Sequence, residues 1–377
     1  MNLMKKVFLI SILIILNSCI TQFIPKTNED KKILVVDGLL TDLPGPDTIK
    51  LSESQPLGLK NTSNPVRGCI VTISDNAGNT FNLAEDASGT YVTNPSEFQG
   101  VIGRSYTLHI TGGSLNNNHF ESYPMELKSV PPIDTLYYEK VTLAEVGGTS
   151  TAEGCQIYFN THDPTNQTKY YRWTYTETWK IILPYNDALN KICWVTGKSD
   201  QINIKNTSVI GEARIDRYPI NFISNLTDRL RVKYSILLKQ YSINEDEYLY
   251  WEKLQNVSEQ IGGLYDMIPS SITGNVYCLD DPDIKVLGYF SVSACKTKRL
   301  FIGGGFAGTV TPYTDSFCIL DTVFGGAPII SLGTFVWIIV DHGIPPPSYR
   351  VTTRQKGCYD CTTRGTKIKP DFWIGDK

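Results

Sequence analysis

Four histidines, nine cysteines and a run of aspartates are the residues in this chain whose types and spacing bear on chemistry. The histidines are His109, His119, His162 and His342; none stands in an H-E-x-x-H pair, and each falls in a turn or at an outward strand position. Asp341-His342 has the pairing that orients an imidazole beside a nucleophile, but a solvated histidine in a turn accounts for it better. No G-x-S-x-G elbow occurs, and Gly303-Gly304-Gly305 lacks the following Lys-Ser/Thr that a phosphate cradle needs. Asp280, Asp281 and Asp283 gather three carboxylates around Pro282, a weak calcium candidate that a tight turn explains without an ion. No catalytic residue, metal or cofactor is expected from these patterns, and the chain reads as a protein that is not an enzyme.

The cysteines point to a compartment. Cys19 stands apart, and the other eight are disulfide candidates: Cys69, Cys155, Cys193, Cys278, Cys295, Cys318, Cys358 and Cys361. An even number in an exported chain predicts that most are oxidised, though spacing cannot choose among the pairings. Cys358-Tyr359-Asp360-Cys361 is a C-x-x-C, but a zinc ribbon needs a second such pair and a thioredoxin-like site would open a helix. Bridges from these two sulfurs to other parts of the chain fit better.

Export itself is written at the N-terminus. Lys5-Lys6 is a charged n-region, and Val7 to Leu16 is an apolar run too short to span a membrane. It ends in Leu16-Asn17-Ser18-Cys19, which resembles a bacterial lipobox. Residues 1–18 are therefore expected to be a lipoprotein signal peptide, Cys19 the acylated new N-terminus, and 19–30 a tether. Several acyl chains at about 0.8 kcal/mol per buried methylene hold firmly to a bilayer. A net charge of −3 over 377 residues leaves no basic excess for nucleic acid.

The elements that must position these residues read as mainly β. Val71 and Ile73 alternate with Ile70, Thr72 and Ser74, and Tyr106, Leu108 and Ile110 alternate with outward Thr107 and His109. Short strands at that spacing predict an immunoglobulin- or transthyretin-like β-sandwich over 31–130, of the carboxypeptidase-regulatory-like kind. Val130-Pro131-Pro132 marks its end. A larger β-rich domain over 131–377 follows, with a hairpin expected across His162-Asp163-Pro164 and Tyr171, Trp173 and Tyr175 sharing one strand face. One amphipathic helix, 242–262, is expected to pack on it. Its capping box would be Ser242 and Glu245, its buried stripe Tyr250, Leu254, Val257 and Ile261, and its stop Gly262-Gly263. Arg350, Arg354, Lys356, Arg364, Lys367 and Lys369 make a basic tail that reads as a solvated face.

Together ILVVDGLLTD at 33–42, Val130-Pro131-Pro132-Ile133-Asp134, the central helix, Ile272-Thr273-Gly274-Asn275-Val276, Val286-Leu287-Gly288-Tyr289-Phe290, the C-x-x-C and Lys369-Pro370-Asp371-Phe372-Trp373 carry a resemblance. The chain resembles the uncharacterised Bacteroidota outer-membrane lipoproteins, a domain of unknown function, encoded beside TonB-dependent receptors. The resemblance implies a non-catalytic lipoprotein, accessory to a TonB-dependent receptor in substrate capture or uptake, held to the outer membrane by its lipid. Ile20-Thr21-Gln22-Phe23 lacks the acidic residues that often direct such lipoproteins to the surface, so the periplasmic and surface-facing leaflets both stay open. The loop 303–314 is the expected receptor contact. The alternative is a stand-alone surface glycan-binding protein or hydrolase.

Overall fold

The structure is a computed structural model and describes residues 32–54, 64–115, 118–144, 151–183, 188–259, 272–303, 318, 320–324, 337–342, 349–353 and 355–375. The signal peptide, Cys19 and its tether, the helix stop with Ile261, and the expected receptor loop from residue 304 lie outside them. In chain order the first strands are β1 (Leu34–Leu40), β2 (Thr48–Glu53), β3 (Asn64–Pro65), β4 (Cys69–Asp75), β5 (Thr80–Asn82), β6 (Ala84–Ala87), β7 (Thr90–Val92), β8 (Ser105–Gly112), β9 (Phe120–Ser122) and β10 (Met125–Glu126). There follow β11 (Ile133–Ala144), β12 (Thr151–His162), β13 (Tyr170–Ile182), β14 (Ile192–Lys198), β15 (Asn203–Asn206), β16 (Arg214–Ser224) and β17 (Lys233–Ile243). Helix α1 (Glu245–Glu259) leads to β18 (Val276–Cys278), β19 (Val286–Val292), β20 (Cys295–Gly303), β21 (Leu320–Phe324), β22 (Trp337–His342) and β23 (Tyr349–Thr353). The fold is mainly β, with several sheets and one α-helix among the described residues. None of the described helices is long and apolar enough to cross a membrane.

Two sheets face each other in a first sandwich, ordered β19-β1-β2-β7-β6 and β18-β9-β8-β4-β5, with β3 beside β2 and β10 beside β8. The period-2 pattern decides which side chains enter: Val71, Ile73, Tyr106, Leu108 and Ile110 are buried, while Thr72, Ser74, Thr107 and His109 look outward. The expected domain limit at Val130 is corrected here, because β18 and β19 come from far beyond it. β19 runs parallel to β1 with Leu34 opposite Val286 and Leu40 opposite Val292, and β18 pairs with β9. A parallel neighbour requires a long crossover, so no nearby segment could have supplied β19.

A second sandwich lays β11-β12-β16 over β14-β13-β17-β20, with β15 beside β13. Ile157, Phe159 and Ile223 from one sheet meet Tyr171, Trp173, Tyr234 and Ile236 from the other in one buried cluster. The expected hairpin at His162-Asp163-Pro164 is a corner between these sheets: β12 pairs with β11 and β16, β13 with β14, β15 and β17. Asp163 organises the corner by accepting from the Thr165, Gln167 and Thr168 amides at 2.7–2.9 Å and from the Thr165 hydroxyl at 2.6 Å. Burial opposes its charge, yet those hydrogen bonds win and lower its pKa to about 2.

The helix begins later than its Ser242 cap would place it. Ser242 is held inside β17 by pairing with Tyr171, and Asn244 caps instead, its Oδ1 accepting from the Glu247 amide at 2.7 Å. Nor does α1 pack on the second body alone. Tyr250 enters the first sandwich core with Trp251 and Leu254 against it, and its ring lies 4.9 Å from Tyr289 on β19. Tyr248 meets Tyr170 on β13 at 5.3 Å, so the helix sits in the joint between the two bodies.

Candidate functional site

At one end of the first sandwich, residues leading into β1, the end of β2, the β8–β9 loop and the β18–β19 connection line a half-open pocket of about 870 Å³. Its apolar wall is Ile33, Leu34, Leu115, Phe120 and Ile284, and its rim carries Lys32, Glu53, Asp281, Asp283 and Lys285. Leu34 and Phe120 are there because both point inward from strands that end at this edge. Lys32 is neutralised by Glu53, Nζ to Oε2 3.0 Å. The Asp283 carboxylate and the Lys285 ammonium carry no side-chain partner among the described residues, leaving one charge of each sign at the rim. An apolar interior with a few polar groups at its mouth is the usual form of a small-ligand site.

The three aspartates do not make a calcium site. Asp280 turns to His119, accepting from its backbone amide at 2.6 Å and facing its Nδ1 at 3.0 Å, and these bonds lower its pKa. Asp281 instead closes a turn on the Asp283 amide at 2.9 Å. The Asp280 and Asp281 carboxylates are committed to different partners, and no metal-holding cluster of three or more His, Cys, Asp or Glu occurs among the described residues.

Of the eight cysteines, four form two bridges, Cys193–Cys361 and Cys318–Cys358, so each sulfur of the C-x-x-C reaches a different part of the chain. The expectation that most would be oxidised is corrected: Cys69, Cys155, Cys278 and Cys295 are free thiols. Cys69 on β4 and Cys278 on β18 are separated by β8 and β9, roughly 14 Å at the usual strand spacing, beyond the reach of a disulfide. Cys155 and Cys295 lie buried in separate clusters, where they pack as small apolar side chains and burial raises their thiol pKa values, to about 12 and about 11.

The segments that carry the sequence resemblance prove to be joints. Asn275 donates Nδ2 to the Phe290 carbonyl at 2.8 Å and accepts the Phe290 amide on Oδ1 at 2.9 Å, extending the ladder with a side chain. Gly274 and Gly288 permit this contact. A Cβ on Gly274 would lie 1.6 Å from the Gly288 carbonyl oxygen, and one on Gly288, whose φ is +87°, 1.9 Å from that of Val36. At the Val130–Asp134 linker, Gln240 Nε2 donates to the Pro131 carbonyl at 2.8 Å and Lys298 Nζ to the Asp134 carbonyl at 2.6 Å. Trp373 is buried, its ring 6.4 Å from Trp194 and 5.8 Å from Phe301. The basic tail is partly tied down as well: Arg364 pairs with Asp228, and Lys367 donates to Asn190 at 3.1 Å. The side chains of Arg350, Asp341 and His342, and all of Arg354, lie outside the described residues.

Residues 20–299 match the family described as Domain of unknown function (DUF4249). The chain belongs to that family. No curated protein matches the chain. The matched span holds both sandwiches down to β20 and the whole cavity, and leaves Cys318, the C-x-x-C and Trp373 outside it.

Two features escaped sequence reasoning. Glu247 looks like one of three acids favouring the helix dipole, yet it is fully buried, with Oε1 accepting from Ser291 Oγ at 2.6 Å and Trp251 Nε1 at 3.1 Å. Burial raises its pKa against the pull of those bonds and of Arg172, which lies 3.8 Å over the Trp251 ring. Its i, i+4 spacing to Trp251 was the available signal. The second is a row across the outer sheet of the first sandwich. Ser74 Oγ lies 2.8 Å from His109 Nε2, His109 Nδ1 lies 3.2 Å from Glu121 Oε2, and Tyr277 Oη donates to Glu121 Oε1 at 3.3 Å. Only the outward position of His109 was visible in the sequence.

Proposed function

We propose that this protein is a lipid-anchored outer-membrane lipoprotein of the Bacteroidota kind, which partners a TonB-dependent receptor by capturing or presenting a substrate. Binding is the job this reading assigns. The observation that carries it is the pocket: about 870 Å³, half open, with an apolar wall and rim charges of both signs that have no side-chain partner among the described residues, it suits a small amphiphilic ligand. An anchor that keeps lipoprotein and receptor in one membrane raises their effective concentration, and modest contacts then suffice for partnership.

Mild-detergent pull-down of the tagged full chain from native membranes tests the proposal. The receptor encoded beside it should be recovered, and Cys19→Ala should abolish both membrane fractionation and recovery. Capture of the lipoprotein alone, with receptor present in the input, would overturn the reading.

A further inference from the structure

The row on the outer sheet has the connectivity of an activated nucleophile. His109 stands on β8 directly opposite Glu121 on β9 and Thr72 on β4, and Ser74 is the next outward residue along β4. All these side chains therefore leave the sheet on one face. With Nδ1–H directed at the Glu121 carboxylate, the imidazole keeps its lone pair on Nε2, where it accepts the Ser74 hydroxyl proton. Each of the three histidines whose side chains are described has Nδ1 on a carboxylate, the other pairs being His119–Asp280 and His162–Asp134. His109 alone among them also holds a hydroxyl at Nε2. Nucleophile, base and orienting carboxylate within hydrogen-bond reach are the three parts that nucleophilic catalysis requires.

We propose that Ser74 is a nucleophile activated by His109, reacting with carboxylic esters, an activity that goes beyond the binding role. Ser74 Oγ attacks the ester carbonyl carbon while its proton passes to His109 Nε2. The carbon–oxygen bond to the alcohol breaks, and that alkoxide takes the proton from Nε2, leaving an acyl group on Ser74. A water then gives its proton to Nε2 and attacks the acyl carbon; the bond to Oγ breaks and Ser74 regains the proton, so ester and water become acid and alcohol. Backbone amides here are spent on the ladder, so the donors nearest the developing oxyanion are the hydroxyls of Thr107 and Thr80, which face Ser74 from either side. That makes the site one for activated or accessible esters. Tyr123 and Tyr277, with ring centroids 5.0 Å apart, form an aromatic pair on the same sheet, Tyr277 lying at the far end of the row. Strand spacing places Tyr277 roughly 16 Å from Ser74, on the alcohol side of a larger ester.

The test uses the purified full chain in detergent, with p-nitrophenyl acetate as substrate and a fluorophosphonate probe mapped by peptide mass. Ser74 should carry the probe, and Ser74→Ala and His109→Ala should each reduce protein-dependent hydrolysis about a hundredfold, the lower end of what a general base supplies. Both side chains are half-buried on the outward face of the sheet, so unchanged melting temperatures separate lost chemistry from lost folding. Glu121→Gln, at the positioning residue, should lower kcat while leaving KM alone. Hydrolysis no faster than buffer, undiminished hydrolysis by Ser74→Ala, or label found on another residue would overturn the proposal. The receptor pull-down stands or falls separately.

Discussion

The first sandwich holds two of its strands from a segment beyond the helix, whereas the second ties its β14 edge to the C-terminal segment with a disulfide. In the first, β1 finds β19 only after about 250 further residues have been made, and the whole joint rests on Gly274, Gly288 and the Asn275 side chain. In the second, Cys193–Cys361 lies among backbone bonds that already join the two segments. The Cys361 amide reaches the Asn190 carbonyl at 3.1 Å, and Trp194 and Thr366 exchange amide bonds at 2.8 and 2.9 Å. Long-range pairing closes one body, and a covalent bond laid on such pairing closes the other. Neither cysteine of the first sandwich is bridged, and in the second only Cys193 is, Cys155 and Cys295 staying free.

The largest effect should come from breaking the first kind of closure. Gly288→Ala forces a Cβ onto the Val36 carbonyl at a backbone conformation that L side chains rarely adopt, so backbone, not a side-chain tip, must give way. A loss of about 4 kcal/mol or more is expected, seen as loss of soluble folded protein or of its thermal transition by circular dichroism. A variant that melts within a few degrees of the parent would show that β19 is not essential to the first sandwich. The second closure should yield less. Cys193→Ser with Cys361→Ser is expected to cost about 2–5 kcal/mol. Thermal unfolding followed by tryptophan fluorescence, to which Trp173, Trp179 and Trp194 of the second body contribute beside Trp251 at the joint, should show that loss.

Strands were legible in the sequence and their partners were not, for one reason. Alternation is a property of neighbours along the chain: Val71 and Ile73, or Tyr171, Trp173 and Tyr175, announce a buried face by themselves, and all five are buried. Pairing depends on residues far away, which is why β12 and β13 look like a hairpin although they belong to different sheets. Local helix signals failed the same way at Ser242, where a good cap residue was already engaged by pairing with Tyr171 on β13 and by the Ser293 hydroxyl donating to its carbonyl at 2.8 Å. The outer-sheet row needed Ser74, His109, Glu121 and Tyr277 from four strands, and no spacing rule links them. The cavity is likewise assembled from four separated stretches of chain, of which the sequence marked only the aspartate turn at 280–283.

The smallest expected effect is a pH dependence at the start of β2. Asp47 Oδ1 accepts from the Thr41 amide and hydroxyl, both at 3.0 Å, yet burial outweighs these bonds and raises the carboxyl pKa to about 7. Asp42 adds to the rise, and Lys239 on β17 opposes it, so this residue senses charge on the neighbouring body. Unfolded, the group titrates near 4. Between about pH 4 and pH 7 the folded protein therefore binds more protons than the unfolded chain. The stabilising contribution is complete below pH 4 and is lost as pH rises through about 7. Asp47→Asn keeps an oxygen for Thr41 and removes the titration. Melting temperatures measured from pH 4 to pH 8 should fall by a few degrees in the parent and less in the variant, the two differing most at pH 8. Equal slopes would mean that Asp47 is charged throughout and that Lys239 holds it so, tying the first sandwich to the second through an ion pair at their joint.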